Sequence, residues 1–233
     1  MSTHPRPSSP DAARPPALRR LGLEEAARCL AAGGIVIYPT ETLYAIGCRA
    51  DKAEACARIC ALKGRPGDSP LPLLAADIPQ AGRAVRLDGA PRRLLDAFWP
   101  GPLSLLLPAL PAVAPRARDA RGLSALRVTP HPLGSRLAAL AGFALTASSA
   151  KFRGAAPAAR ATDLDPALMA ALARAGSDNG LLQAENAAEE PGGGAPSTLA
   201  RACAGPGGPF LRLLRRGAVS AGDLAAAGFR VVA

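Results

Sequence analysis

Short apolar runs alternate along this chain with longer stretches whose apolar residues recur every three or four positions. The stretch "LEEAARCLAAGG" (23–34) predicts a helix ended by glycines. "IVIY" (35–38) follows as a buried strand. In "DKAEACARICALK" (51–63) the helical spacing puts Ala55, Cys56, Ile59, Cys60 and Leu62 on one apolar side. Further strands are predicted at "LPLLAA" (71–76), "LSLLLPA" (103–109), "SALRV" (124–128), "FALTAS" (143–148) and "FLRLL" (210–214). Helices are predicted at "APRRLLDAFW" (90–99), "PLGSRLAALAG" (132–142), "DLDPALMAALARAG" (163–176) and "SAGDLAAAG" (220–228). Short strands alternating with amphipathic helices define an α/β domain, without fixing strand order or direction. The polar, glycine-rich "ENAAEEPGGGAP" (185–196) predicts a mobile loop, and no internal repeat is present.

Composition narrows this picture. With 233 residues, the chain suits one large domain or two small ones. Aromatic residues make up only 3%, so the core must be built mostly from Leu, Ala, Ile and Val. Residues 1–20 are basic and proline-rich without an apolar signal core, and predict a disordered tail before a domain over 21–233. No stretch approaches a membrane span. The five cysteines show no metal or disulfide spacing, and His4 and His131 are the only histidines. These features fit a reducing, cytoplasmic setting and argue against a histidine-based metal site.

The net charge of +10 favours anionic ligands, and six segments could hold them. "YPTETLYAIG" (38–47) brings Thr40 and Thr42 to the end of a strand, with Gly47 permitting close backbone approach. "LKGRPGDSPLPLL" (62–74) places Lys63 and Arg65 at a helix end. They either complement the helix dipole or grip phosphate oxygens. Arg127 lies inside an apolar strand and needs a partner or a water-filled cleft. His131, before Pro132 at a helix start, reads as structural. "ASSAKFRGAA" (147–156) sets Lys151 and Arg153 beside Gly154. In "PSTLA" (196–200) Ser197 and Thr198 could cap an element or meet a ligand, and in "LLRRGAVS" (213–220) Arg215 and Arg216 precede Gly217, with surface and functional readings equally open. P-loop, GxGxxG, HExxH and GxSxG signatures are absent from the sequence. Nucleic-acid binding has charge behind it but no aromatic interleaving.

Taken in order, "GGIVIYPTETLYAIGC", "LKGRPGDSPLPLL", "FWPGPLSLLLPA", "LSALRVTPHPLG", "LTASSAKFRG", "PSTL" and "LRRGAV" resemble the YrdC/Sua5 family of threonylcarbamoyl-AMP synthases, in its short, single-domain form. The resemblance implies a twisted, mostly open mixed α/β sheet with flanking helices around a large basic cavity. It implies ATP, carried with Mg2+ on its phosphates, and bicarbonate and L-threonine as co-substrates. It also implies partner proteins that transfer threonylcarbamoyl to adenosine 37 of tRNA, with a weak tRNA contact as a further expectation. Carried over by position, Lys63, Arg65 and Ser149 are the catalytic set. Lys63, Arg65, Ser149, Lys151 and Arg215 bind ATP, and Thr42, Arg127 and Thr198 bind threonine. No protein metal ligand is implied.

The chain departs from the family pattern in "SAKFRG", where Lys151 and Arg153 replace Asn and Ser, and in "YAIG", where Ala45 replaces Gly. Lysine donates but cannot accept, so Lys151 would reach phosphate in place of an amide. Arg153 would face either ligand or solvent. Two other readings use the same fold: a non-catalytic RNA-binding protein, and an enzyme adenylating a different carbamate, as in hydrogenase maturation.

Overall fold

The computed structural model describes residues 17–205 and 208–232. In chain order its elements are β1 (Arg19–Arg20), α1 (Leu23–Ala31), β2 (Val36–Pro39), β3 (Tyr44–Gly47), α2 (Ala53–Leu62), β4 (Leu73–Ala75), α3 (Ile78–Ala84), α4 (Arg92–Phe98), β5 (Leu103–Pro108), β6 (Leu123–Val128), α5 (Pro132–Ala141), β7 (Leu145–Thr146), β8 (Ser148–Ser149), α6 (Pro166–Arg174), β9 (Gly180–Leu181), β10 (Thr198–Cys203), β11 (Phe210–Arg215), α7 (Ala221–Ala226) and β12 (Val231–Val232).

Local chemistry explains the helices. In α1, Leu23, Ala26, Ala27 and Leu30 form one buried stripe. Glu24 and Glu25 open the helix and Arg28 closes it, each suited to the nearby end of the dipole. Asp77 caps α3 and Asp165 caps α6. Ser220 and Asp223 form a reciprocal capping box at α7.

The strands divide between two mixed sheets, ordered β1-β9-β2-β3-β8 and β12-β11-β10-β5-β6-β4-β7. The mixed α/β architecture is the expected one, now shared between two sheets. The larger apolar cluster takes Ile35, Ile37 and Ile46 from one sheet and Leu73, Leu105 and Leu126 from the other. On the opposite side of β2, Val36 and Tyr38 pack with Leu30 of α1 and with Leu137 and Ala138 of α5. The period-2 alternation of β2 therefore feeds two cores. The sheets meet where β3 passes β7. There the Thr146 amide donates to the Cys48 carbonyl at 2.8 Å. A side chain at Gly47 would put its Cβ 1.8 Å from the Thr146 carbonyl oxygen, so the close approach expected of this glycine is real.

Three features add to the sequence reading. Residues 1–16 of the expected tail lie outside the described residues. Its last two, Arg19 and Arg20, pair in parallel with Gly180 and Leu181, so ordered chain begins before residue 21. The second half of "YPTETLYAIG" is β3, which forms an antiparallel hairpin with β2. All four of its residues are buried, which erases the polar/apolar alternation that would have marked it. Finally, the segment 185–196 is docked. The Gly192 and Gly193 amides donate to the carbonyls of Glu41 and Thr42 at 3.2 and 2.9 Å. His131 Nε2 lies 2.9 Å from the Glu189 carbonyl.

Candidate functional site: a cationic cleft

Strand ends and loops from both sheets surround a cleft of about 410 Å³. Its lining includes Thr42, Lys63, Arg65, Arg127, Ser148, Ser149, Lys151, Arg153, Ser197 and Arg215. The structure thus gathers residues from six segments that are far apart in sequence.

Lys63 occupies the C-cap of α2. Its ammonium reaches across to donate to the carbonyls of Ser149 and Lys151. Burial brings its pKa down to about 8, with help from the charges of Arg65 and Lys151. Arg65 donates through Nε to the Ser69 carbonyl at 2.7 Å and through Nη2 to the Pro70 carbonyl at 2.8 Å. Arg215 holds the Ser197 carbonyl through Nε and Nη2 at 3.2 and 2.7 Å. Burial, then the charges of Arg127 and Arg65, lowers the Arg215 pKa. Gly217 makes this approach possible, because a Cβ there would sit 2.2 Å from the Pro196 carbonyl oxygen.

These cations are held by carbonyl oxygens rather than carboxylates. Among the described residues, none of Lys63, Arg65, Lys151, Arg153 or Arg215 belongs to an ion pair. Carbonyls fix the geometry but leave the net charge in place. Grouping positive charge without counter-ions is costly, so the arrangement is poised for an anion that supplies them.

Arg127 is the exception. It is buried in β6, and its Nε donates to Glu41 Oε1 at 2.6 Å. Thr129 Oγ1 donates to Glu41 Oε2 at 2.6 Å. Burial opposes ionisation of Glu41, but Arg127 and the Thr129 hydroxyl outweigh it and hold the carboxyl below its ordinary range. Arg127 therefore has both a partner and a cleft to face.

Ser149 lies on β8, paired with Ala45 of β3, and lines the cleft. Thr42 also lines it, 3.4 Å from Thr40 Oγ1. Thr40 itself ties the turn together by donating to the Leu43 carbonyl at 2.7 Å.

Two of the expected ligand residues are engaged by the protein itself. Thr198 is fully buried and does not line the cleft. Its hydroxyl donates to the Val219 carbonyl and accepts from the Val219 amide, which closes β10 onto the 217–219 segment. Its neighbour Ser197 takes the lining position. Lys151 lines the cleft, but its ammonium folds back onto the Ala155 carbonyl within its own loop. Arg153 is exposed at the rim.

The sequence reading missed Glu41. Its signal was a carboxylate between the two threonines of "PTET", the one acid in an otherwise neutral strand-end loop.

A mixed α/β scaffold that lines a cleft with carbonyl-held cations defines a class of protein that presents a cationic cleft built from loops and strand ends. Comparison with known proteins makes the class specific. A family model named for Sua5, YciO and YrdC, and described as telomere recombination, matches residues 28–205. The chain belongs to this family. The threonylcarbamoyl-AMP synthase of Stenotrophomonas maltophilia is 36% identical over 155 residues, covering 65% of this chain and 83% of the relative. That of Nitrosococcus oceani is 40% identical over 134 residues, covering 57% and 72%. Among solved structures, P. abyssi Sua5 complexed with L-threonine superposes with a TM-score of 0.74 at 25% identity. That match covers 90% of this chain but 58% of the Sua5 chain, so this chain spans little more than half of that protein. E. coli YciO shares the fold, with a TM-score of 0.64 at 22% identity.

Proposed function

We propose that this protein is a threonylcarbamoyl-AMP synthase, joining L-threonine, bicarbonate and ATP to give L-threonylcarbamoyladenylate and pyrophosphate. The observation that carries the reading at the site is the set of cations held by carbonyls without carboxylate partners. Such a set suits a polyanionic nucleotide and a carboxylate substrate.

The chemistry asks for positioning more than for acid–base work. The threonine amine adds to bicarbonate with loss of water and gives an N-carboxylate. A carboxylate oxygen then forms a bond to the α-phosphorus of ATP, and the bond to the bridging oxygen of pyrophosphate breaks. The nucleophile is already charged, so no Ser-His pair is needed. The barrier is lowered by aligning two anions and offsetting charge that grows on the phosphates. Lys63, Arg65 and Arg215 take the phosphates in this scheme. Ser149 offers its hydroxyl to the nucleotide. Thr42 and Arg127 face threonine. Lys151 acts indirectly, since its carbonyl is one of the two that hold Lys63.

In this scheme magnesium enters as part of the nucleotide, on its phosphates and waters. No described helix is long and apolar enough to cross a membrane. The product is an activated mixed anhydride. It passes, in this reading, to cytoplasmic proteins that transfer the threonylcarbamoyl group to tRNA.

The test is pyrophosphate release from ATP and bicarbonate with and without L-threonine. Release that depends on threonine is expected. Tight RNA binding without such release would replace this reading with a non-catalytic one.

A further inference from the structure

Glu41 does not line the cleft, yet it touches the cleft's most buried cation. The Arg127 and Glu41 side chains are only 6% and 10% exposed. Glu41 Oε1 takes Nε of the guanidinium, and Oε2 is fixed by the Thr129 hydroxyl. Both carboxylate oxygens are thus anchored, one on β6 and one just beyond it. With Nε occupied, Arg127 has its two terminal nitrogens left. They make no hydrogen bond to protein among the described residues, and the residue lines the cleft. The end-on pair of a guanidinium matches a carboxylate bidentately.

We infer that Glu41 is a positioning residue for the amino-acid substrate: it locks Arg127 so that its two terminal nitrogens meet the substrate's α-carboxylate. This inference rests on the synthase reading above. It assigns to Glu41 a role that neither charge nor cleft lining suggests, because a carboxylate near a carboxylate-binding site would ordinarily repel the ligand.

That conflict supplies the test. If Glu41 acted only through its charge, neutralising it would tighten threonine binding. Positioning predicts the reverse. Glu41→Ala frees the guanidinium to rotate and raises KM for L-threonine roughly 10-fold, the scale of one lost hydrogen bond to a charged group. KM for ATP and kcat stay within about twofold, since nothing in the phosphate grip involves Glu41. Glu41→Gln keeps an acceptor for Nε and a partner for Thr129, and holds KM for threonine within about threefold of wild type. The preference for L-threonine over L-threoninol, which lacks the carboxylate, collapses in Glu41→Ala. It is no further reduced when Glu41→Ala is added to Arg127→Ala.

The inference is overturned if Glu41→Ala leaves or lowers KM for threonine while the wild type remains threonine-dependent. It is also overturned if KM for ATP rises in parallel, which would mark a general collapse of the cleft. A wild type that releases pyrophosphate without regard to threonine fails at the earlier step, and removes the synthase reading itself.

Discussion

Lys63 combines a fixed place with a depressed pKa. Burial comes first among the causes, and the neighbouring cations Arg65 and Lys151 add to it, bringing the ammonium to about 8. Its charge is full well below that value and is lost as pH rises through it. Because the charged form attracts phosphate, kcat/KM for ATP should fall above about pH 8. Lys63→Arg should flatten that limb, and Lys63→Ala should cost roughly 10²-fold in kcat/KM. A wild-type profile that stays flat to high pH would count against the assignment. Lys151 makes the contrast. Its ammonium is committed to Ala155, so Lys151→Asn should leave KM for ATP within about threefold at low and high salt. A tenfold rise confined to low salt would instead place that ammonium on the phosphates.

At the scale of elements, Thr198 and His131 join segments that the chain keeps apart. The Thr198 hydroxyl serves both backbone groups of Val219 inside the protein. Thr198→Val should strand them and cost about 1–3 kcal/mol of stability, with KM for threonine unchanged. Chemical denaturation and steady-state kinetics on one preparation separate the two effects. His131 caps α5 by accepting from the Gly134 amide at Nδ1, so its Nε2–H donates to the Glu189 carbonyl. Burial holds its pKa below the ordinary 6.5, against weaker opposing pulls from the Glu189 carbonyl and nearby carboxylates. The folded pKa is the lower one, so the unfolded chain binds the proton first. Stability is therefore full above 6.5 and declines as pH falls below it. Protonation also removes the Nδ1 acceptor. Acidification should raise amide exchange across 185–196 and lower Tm, and His131→Gln should flatten the dependence of Tm on pH over that range. Equal slopes in the two proteins would show that another group titrates.

At the scale of the molecule, the sequence was most readable where side chains announce their environment. The stripe of α1 and the apolar runs of β5 and β6 have one or both faces buried, and their composition says so. The two-residue strands β1, β9 and β12 carry no period at all, since their pairing is imposed by neighbours. The cleft was legible as a set of cations, but not in its wiring. Nothing local in "PTET" tells Glu41 that Arg127 lies 86 positions away. Thr198 and Ser197 are adjacent and chemically alike, and only the direction of a strand decides which one meets the cavity.

What the whole fold adds is concentration of charge. Lys63, Arg65, Arg127, Lys151, Arg153 and Arg215 line one cleft, and Glu41 offsets Arg127 alone. A nucleotide triphosphate arrives with several negative charges, while threonine arrives as a zwitterion. The field of the cleft should therefore act unequally on the two substrates. Raising ionic strength from about 0.05 to 0.5 M shortens the screening length from roughly 14 to 4 Å, so kcat/KM for ATP should drop several-fold. The KM for threonine, set by short contacts within the cleft, should move less than twofold. Equal salt sensitivity for both substrates would mean that the cations serve the fold's surface rather than the nucleotide. Insensitivity of both would mean that binding is governed by contacts other than the carbonyl-held cations.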